Sequence, residues 1–319
     1  MGVAGAANSA PRDGDGAATI AHRVGREVAW GADGTERLVY HYATDRHKPF
    51  VHPLRTAGGR VLTTVEPSDH PWHRGLWFSW KFLNGVNFWE EREHAGEGAG
   101  AGFGRTELAG VDGIAWRPER TRVTTRYSYR VPGGAVLLSE RRTIGVALPT
   151  DGSCTIDWET TVTAGGQSVR IDRTPIRPET PWGGYAGLSF RAAQTWRAVE
   201  GLDSEGRRDG EIEHQRARWV AITGVSEGQG RAGLAILDHP DNPRHPSYWR
   251  YIDEPGFSYI NPSLVLAGPY NLAEGATLRL RYRLIVLDGA PDAAALADRH
   301  RAFGAEVAGR STDETGGAR

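Results

Sequence analysis

Thr277-Leu278-Arg279-Leu280-Arg281-Tyr282-Arg283-Leu284-Ile285-Val286-Leu287 sets Leu278, Leu280, Tyr282, Leu284 and Val286 against Arg279, Arg281 and Arg283 in a period of two. Side chains alternate across a strand, so one face of this segment is apolar and the other charged. Thr121–Val131, Ala135–Val146, Cys154–Thr163 and Ala232–Leu237 repeat the pattern. Between such runs stand Pro132-Gly133-Gly134, Pro149-Thr150-Asp151-Gly152 and Ala164-Gly165-Gly166, residues suited to tight turns. The expectation is antiparallel sheets with one wet face, in an all-β fold. One helix is expected over residues 290 to 307, with Ala294, Leu296, Ala297, His300, Phe303 and Val307 at near-helical spacing and Pro291-Asp292 in its first turn.

With 319 residues, no repeat and no Pro-rich linker in mid-chain, the reading is one β-sandwich over residues 21–308 between disordered tails at 1–20 and 309–319. Glu93–Gly104 and Asp203–Glu213 read as long surface loops. The balance of 38 basic and 39 acidic residues gives a net charge of -1, which provides no whole-chain field for nucleic acid or an anionic membrane. No apolar run approaches the roughly 18 to 20 residues of a membrane span, and the first 20 residues lack the basic and apolar regions of a signal peptide. The single Cys154 excludes an internal disulfide and reads as a small buried hydrophobe, in keeping with a reducing, cytoplasmic setting.

Function is concentrated in Asp69-His70-Pro71-Trp72-His73-Arg74-Gly75-Leu76-Trp77, continued by Asn84-Gly85-Val86-Asn87-Phe88-Trp89-Glu90-Glu91. Neither a core nor a solvated loop needs this mixture of imidazoles, carboxylates and indoles, so it reads as a concave polar site with aromatic walls. His70 and His73 suit proton transfer or hydrogen bonding. With a third imidazole from His52, His239 or His245 they would also suit a divalent metal, and a structural role stays open. Arg74 suits an oxyanion, a carboxylate or paired hydroxyls, and equally a buried ion pair. Glu90 and Glu91 are adjacent, so in a strand only one of them would face the cleft. Trp72, Trp77, Trp89, Trp182 and Trp249 offer sugar-stacking planes or core filling.

A second cluster, Asp238-His239-Pro240-Asp241-Asn242-Pro243-Arg244-His245-Pro246, follows an apolar strand and repeats the His-Pro chemistry, so convergence of the two clusters on one cleft is expected. A third segment, Pro181-Trp182-Gly183-Gly184-Tyr185, leads through Gly187 into a strand ending at Arg191, and would bring Tyr185 and Arg191 to the cleft edge. No phosphate loop, nucleophile elbow or nicotinamide fingerprint is present.

His52-Pro53-Leu54, the His70 stretch, Asn84–Trp89 and Asn261-Pro262 together resemble a bacterial family labelled PmoA-like, over about residues 48 to 288. The methane-oxygenase label would require a membrane-embedded copper subunit, which a chain without an apolar span does not match. The resemblance implies instead a carbohydrate connection and a galactose-mutarotase-like supersandwich with a C-terminal helix.

The resulting expectation is an enzyme doing acid–base chemistry on a glycoside or keto-sugar, by hydrolysis or β-elimination. His73 or His239 and one of Glu90 and Glu91 transfer protons, and Arg74 holds a developing oxyanion. His52, His70, Trp77, Asn87, Trp89, Tyr185, Asp241, Arg244, His245 and Trp249 contact a small-molecule sugar. An aldose mutarotase or epimerase is the nearest alternative, and a non-catalytic sugar-binding sandwich the next. The oligomeric state is left open.

Overall fold

The computed structural model describes residues 18–92, 101–116 and 120–306. Its first eight-stranded sheet runs β1 (Thr19–Arg23), β2 (Glu27–Ala32), β3 (Thr35–His41), β4 (Phe50–Leu54), β5 (Leu76–Ser79), β13 (Gly187–Arg191), β18 (Phe257–Ser263) and β17 (Tyr248–Glu254). The second runs β14 (Arg197–Asp203), β15 (Trp219–Val225), β16 (Arg231–Asp238), β20 (Thr277–Leu287), β11 (Thr155–Ala164), β10 (Val136–Ala147), β9 (Thr121–Arg130) and β8 (Arg105–Ala115). A four-stranded sheet joins β19 (Tyr270–Leu272), β12 (Val169–Asp172), β6 (Phe82–Leu83) and β7 (Val86–Asn87). Every strand pair is antiparallel, and one apolar core takes side chains from both large sheets: Leu76, Phe78, Leu188 and Ile260 from the first, Val123, Ile156, Ile236 and Leu284 from the second. Cys154 lies in this core, where burial pushes its thiol up to about 12.

The alternation marks the strands to within a residue, and the expected turns fall where β9 meets β10, where β10 meets β11, and at the end of β11. Three details differ. Thr19 and Ile20, expected in the leading tail, pair with Gly31 and Trp30, so order begins inside that segment; the remaining tail residues, 1–17 and 309–319, lie outside the described residues, as do residues 93–100 of the first expected loop. The 203–213 segment is not only a surface loop, because a 3-10 turn over Asp209–Ile212 buries Ile212 completely. The arginine face of β20 is only partly wet. Arg279 is partly exposed and pairs with Glu159, whereas the helix α1 (Ala293–Ala305) covers Arg281 and Arg283, burying Leu296, His300 and Phe303, while Arg283 pairs with Asp157 and Glu306. Asp292 precedes the helix rather than opening it, its carboxylate accepting from the amides of Ala294 and Ala295 as an N-cap.

Candidate active site on the outer face of the first sheet

The residues of β4, β5, β13 and β18 that point away from the core form the floor of a second aromatic cluster, Phe50, Trp77, Trp89 and Tyr259, with Trp72, Tyr185 and Phe257 packed against it. Register fixes this set: Phe50 pairs with Trp77, Trp77 with Ser189, and Arg191 with Tyr259. Gly75 delivers the His70 stretch onto this floor. Its φ is +74°, and a Cβ there would lie 2.9 Å from the Val51 carbonyl oxygen, so only glycine lets the chain turn from the loop into β5 so close to β4.

At the rim, Asp69 Oδ2 lies 2.7 Å from His70 Nδ1 and 2.7 Å from Arg191 NH2. Arg191 NH1 also reaches His73 Nδ1 at 3.3 Å. One guanidinium therefore organises both imidazoles. A carboxylate can only accept, so in its neutral form His70 carries its proton on Nδ1 and leaves Nε2 with a lone pair. A guanidinium can only donate, so His73 accepts at Nδ1 and carries its proton on Nε2. The rings stack with centroids 4.6 Å apart, and His73 is sandwiched on its other side by Tyr259 at 5.7 Å. Burial raises the Asp69 carboxyl, but hydrogen bonds from Arg191 and His70 more than offset this and hold it below its usual range. Burial, reinforced by His70, Arg191, Lys48 and Arg74, drives His73 well below 6.5 and keeps it neutral. His70 is one-third exposed and Asp69 likewise, whereas His73 is 4 % exposed, so His70 is the group that meets solvent.

Glu90 and Glu91 both turn inward, contrary to the expectation that one faces away. Beyond β7 the chain bends instead of continuing as a strand, so the rule of opposite faces does not apply. Asn87 makes the bend: its Oδ1 accepts from the amides of Trp89 and Glu90, and its Nδ2 donates to Glu90. Glu90 then takes the Lys81 ammonium at 2.5 Å and the Tyr185 hydroxyl at 3.3 Å. Glu91 takes Arg74 at 2.9 Å and Lys48 at 3.1 Å, all three side chains 2 % exposed. Burial lowers the Lys48 ammonium to about 8 in spite of Glu91. Arg74 is thus a buried anchor that also donates to the Pro71 carbonyl, and not a free oxyanion donor. Glu90, Glu91, Lys48, Asp45, His47 and Arg92 line a cavity of about 390 Å³ whose walls include neither His70 nor His73.

Residues 27–301 match the model of DUF6807, a family of unknown function. The chain belongs to this family. The match answers the resemblance carried by the His52, His70 and Asn84–Trp89 motifs at the level of a family of unknown function, and the PmoA name is not what it carries. No curated protein matches the chain. Among solved structures, a protein of Klebsiella pneumoniae described as a "putative aldose 1-epimerase" is 10% identical over 92% of this chain and 90% of its own, with a TM-score of 0.45. The Slr1438 protein of Synechocystis is 11% identical over 88% and 96%, with a TM-score of 0.37. Neither likeness bears on substrate or reaction.

In this DUF6807 chain the second His-Pro cluster does not join the first. His239 is 1 % exposed beneath α1, its Nε2 at 3.1 Å from the Phe303 carbonyl and its Nδ1 accepting from the Asp241 amide. His245 is held by Asp238 and stacks on His300, and Arg244 clamps the carbonyls of Leu264, Gly268 and Pro269. These residues fasten the helix and neighbouring loops to the second sheet, so His239 is not placed to transfer a proton at the His70 rim, and Asp241, Arg244 and His245 contact nothing there. Trp249 belongs to the sandwich core, with its indole N–H on the Ala217 carbonyl, so it is no sugar platform. Of the five indoles expected at the site, Trp77 and Trp89 are buried as well, and those not fully buried are Trp72 and Trp182. Among the described residues no group of three His, Cys, Asp or Glu is arranged to hold a metal, and no helix is long and apolar enough to cross a membrane.

The residues that sequence reasoning missed are Asp69 as the His70 orienter, Lys48, Lys81 and Tyr259. Asp69 was legible as the neighbour of His70. The others stand alone in sequence, and only register and loop closure bring them in.

His52 sits on β4 with Nδ1 2.8 Å from Thr63 Oγ1 and has no imidazole partner from the rim; burial, with His41, Arg55 and Arg46 nearby, lowers it to about 4. This sets a stability window. Between the unfolded value of 6.5 and about 4, the unfolded chain binds a proton that the folded chain refuses, so stability falls as pH falls through that range. Melting temperatures at pH 6.5 and pH 4.5 should therefore differ less in His52→Gln than in the parent protein; equal differences would remove His52 from the account.

Proposed function

We propose that this chain is an acid–base enzyme that abstracts a proton from the carbon beside a carbonyl in a small sugar, leading to epimerisation or β-elimination. The observation that carries the reading is the opposite tautomers that Arg191 and Asp69 impose on two stacked imidazoles. His70 Nε2 offers a lone pair to take the proton. As the C–H electrons move into the new C=C bond, the carbonyl becomes an enolate oxygen, and the neutral His73 Nε2–H is a donor suited to it. Proton return gives the epimer, and departure of a group from the next carbon gives elimination. A neutral donor is favoured here because a deeply buried imidazolium beside Arg191 is costly.

Hydrolysis by two carboxyl groups receives less support, because Asp69, Glu90 and Glu91 are each committed to a cation already. A sugar is favoured by the aromatic walls, Trp72 at 5.2 Å and Phe257 at 4.8 Å from the His70 ring, which suit the apolar face of a pyranose. A panel of glycosides and their keto derivatives tests the reaction class. Turnover is expected with the carbonyl-bearing members alone; cleavage of the parent glycosides at equal rates would overturn the reading.

A further inference from the structure

Trp77, Ser189, Asn261 and Arg250 form one lateral row across β5, β13, β18 and β17. Trp77 pairs with Ser189, the Arg191–Tyr259 pairing puts Asn261 opposite Ser189 two residues along, and Asn261 pairs with Arg250. All point to the outer face. Among the described residues, three of the four hold a buried polar atom without a partner, namely Trp77 Nε1, Asn261 Oδ1 and Arg250 Nε, and Arg191 Nε in the next row is a fourth. Each of these residues is 3 % exposed or less. Buried polar atoms are rarely left unpaired, and a concentration of them on one patch of one sheet face calls for an explanation.

Mobility of the side chains does not supply one, since their other atoms are fixed. Asn261 Nδ2 donates to the carbonyls of Ala186 and Leu188 at 3.0 and 2.6 Å, Arg250 grips the Pro181 carbonyl and Glu213, and Arg191 grips Asp69. The open atoms read along the row as donor, acceptor, donor. A hydroxyl both donates and accepts, so a set of hydroxyls on one ring matches that order, whereas an anion would not tolerate the Asn oxygen. Asn261 and Arg250 stand on neighbouring strands, about 4.8 Å apart, and Trp77 two strands from Asn261, about 9.6 Å, spans that hydroxyls on opposite sides of one ring can bridge when each reaches out by a hydrogen bond of about 2.8 Å. The row lies beside the histidine pair, with Trp77 4.9 Å from the His73 ring. Over its far end passes the 174–186 segment, held by Arg250 through Pro181 and by Ser263 through Gly184, with Trp182 half exposed.

We infer that the Trp77–Asn261–Arg250 row is a hydroxyl-binding floor, covered in this structure, that takes the neutral polyol face of the substrate. The inference rests on the proposed reading only in naming the ligand a sugar, since the floor can bind without the His70 chemistry. The test is calorimetric titration of D-glucose and D-galactose into the full chain carrying His70→Ala, and into the same chain with Trp77→Phe added, which removes one open N–H. Affinity should fall roughly three- to tenfold on adding Trp77→Phe, as for loss of one hydrogen bond. A second readout does not depend on how Trp77→Phe folds: the Trp77 indole ¹⁵N–H resonance should shift on adding glucose. Unchanged affinity with an unmoved resonance, or no sugar binding at millimolar concentration, would mean internal water only and overturns the floor. Glucose binding with no turnover of any carbonyl sugar would instead uphold the floor and remove the proton-transfer reading.

Discussion

Glu140→Ala should lower the stability of the fold by about 3 to 5 kcal/mol, the usual cost of leaving a buried charge without its partner. Glu140 and Arg142 are both wholly buried within the sandwich, on the inner face of β10. Glu140 accepts from Arg142 Nε at 2.6 Å and NH2 at 3.0 Å, from the Tyr129 hydroxyl at 2.6 Å and from Thr160 Oγ1 at 3.2 Å. The Arg142 guanidinium lies among the rings of Tyr127, Trp158 and Phe78, at 5.0, 5.1 and 5.5 Å. Burial alone would lower Arg142, and Glu140 with the surrounding tyrosines reverses this and holds it above its ordinary value. Without Glu140 the arginine stays charged in an aromatic box that supplies no counterion. The double variant Glu140→Gln, Arg142→Met removes both charges and should recover much of the loss, because no ion is left to desolvate and the Gln oxygen can still accept from Tyr129 or Thr160. Chemical denaturation measures both; a loss under 1 kcal/mol for Glu140→Ala would show that water or rearrangement solvates Arg142.

The second large effect is on turnover. His70→Ala should reduce kcat by about 10²- to 10⁴-fold, the range a positioned general base supplies. Its effect on the melting temperature should be small, since the ring is one-third exposed. Asp69→Asn should act in the same direction, because an amide can present its N–H to Nδ1 and favour the wrong tautomer. A His70→Ala protein with undiminished turnover would leave the dyad as a rim contact only.

The strands were legible because a two-residue period is a local property: Thr277–Leu287 reads as a strand without knowledge of its neighbours. What covers each face is not local. Arg281 and Arg283 were expected on a wet face and lie under α1, and Glu140 and Arg142 are in the core although both are charged. The site was half legible for the same reason. His70, His73, Arg74, Trp77, Asn87, Trp89, Glu90 and Glu91 come together because one loop, one short strand and one bend carry them. The Asp238–Pro246 cluster shares their composition but belongs to the other sheet, and similarity of composition carries no information about distance. Arg191 was expected at the cleft edge; that it organises both imidazoles, 118 residues from His73, follows only from the pairing of β13 with β5 and β18.

The most direct measurement of the central claim is proton NMR of a keto-sugar in deuterated water with the full-length protein. Abstraction by His70 predicts loss of the signal of the hydrogen beside the carbonyl as deuterium enters from solvent, at a rate proportional to enzyme and lost in His70→Ala. Epimerisation of the same sugar without deuterium entering substrate or product at that carbon, or exchange or elimination that persists in His70→Ala, would contradict it.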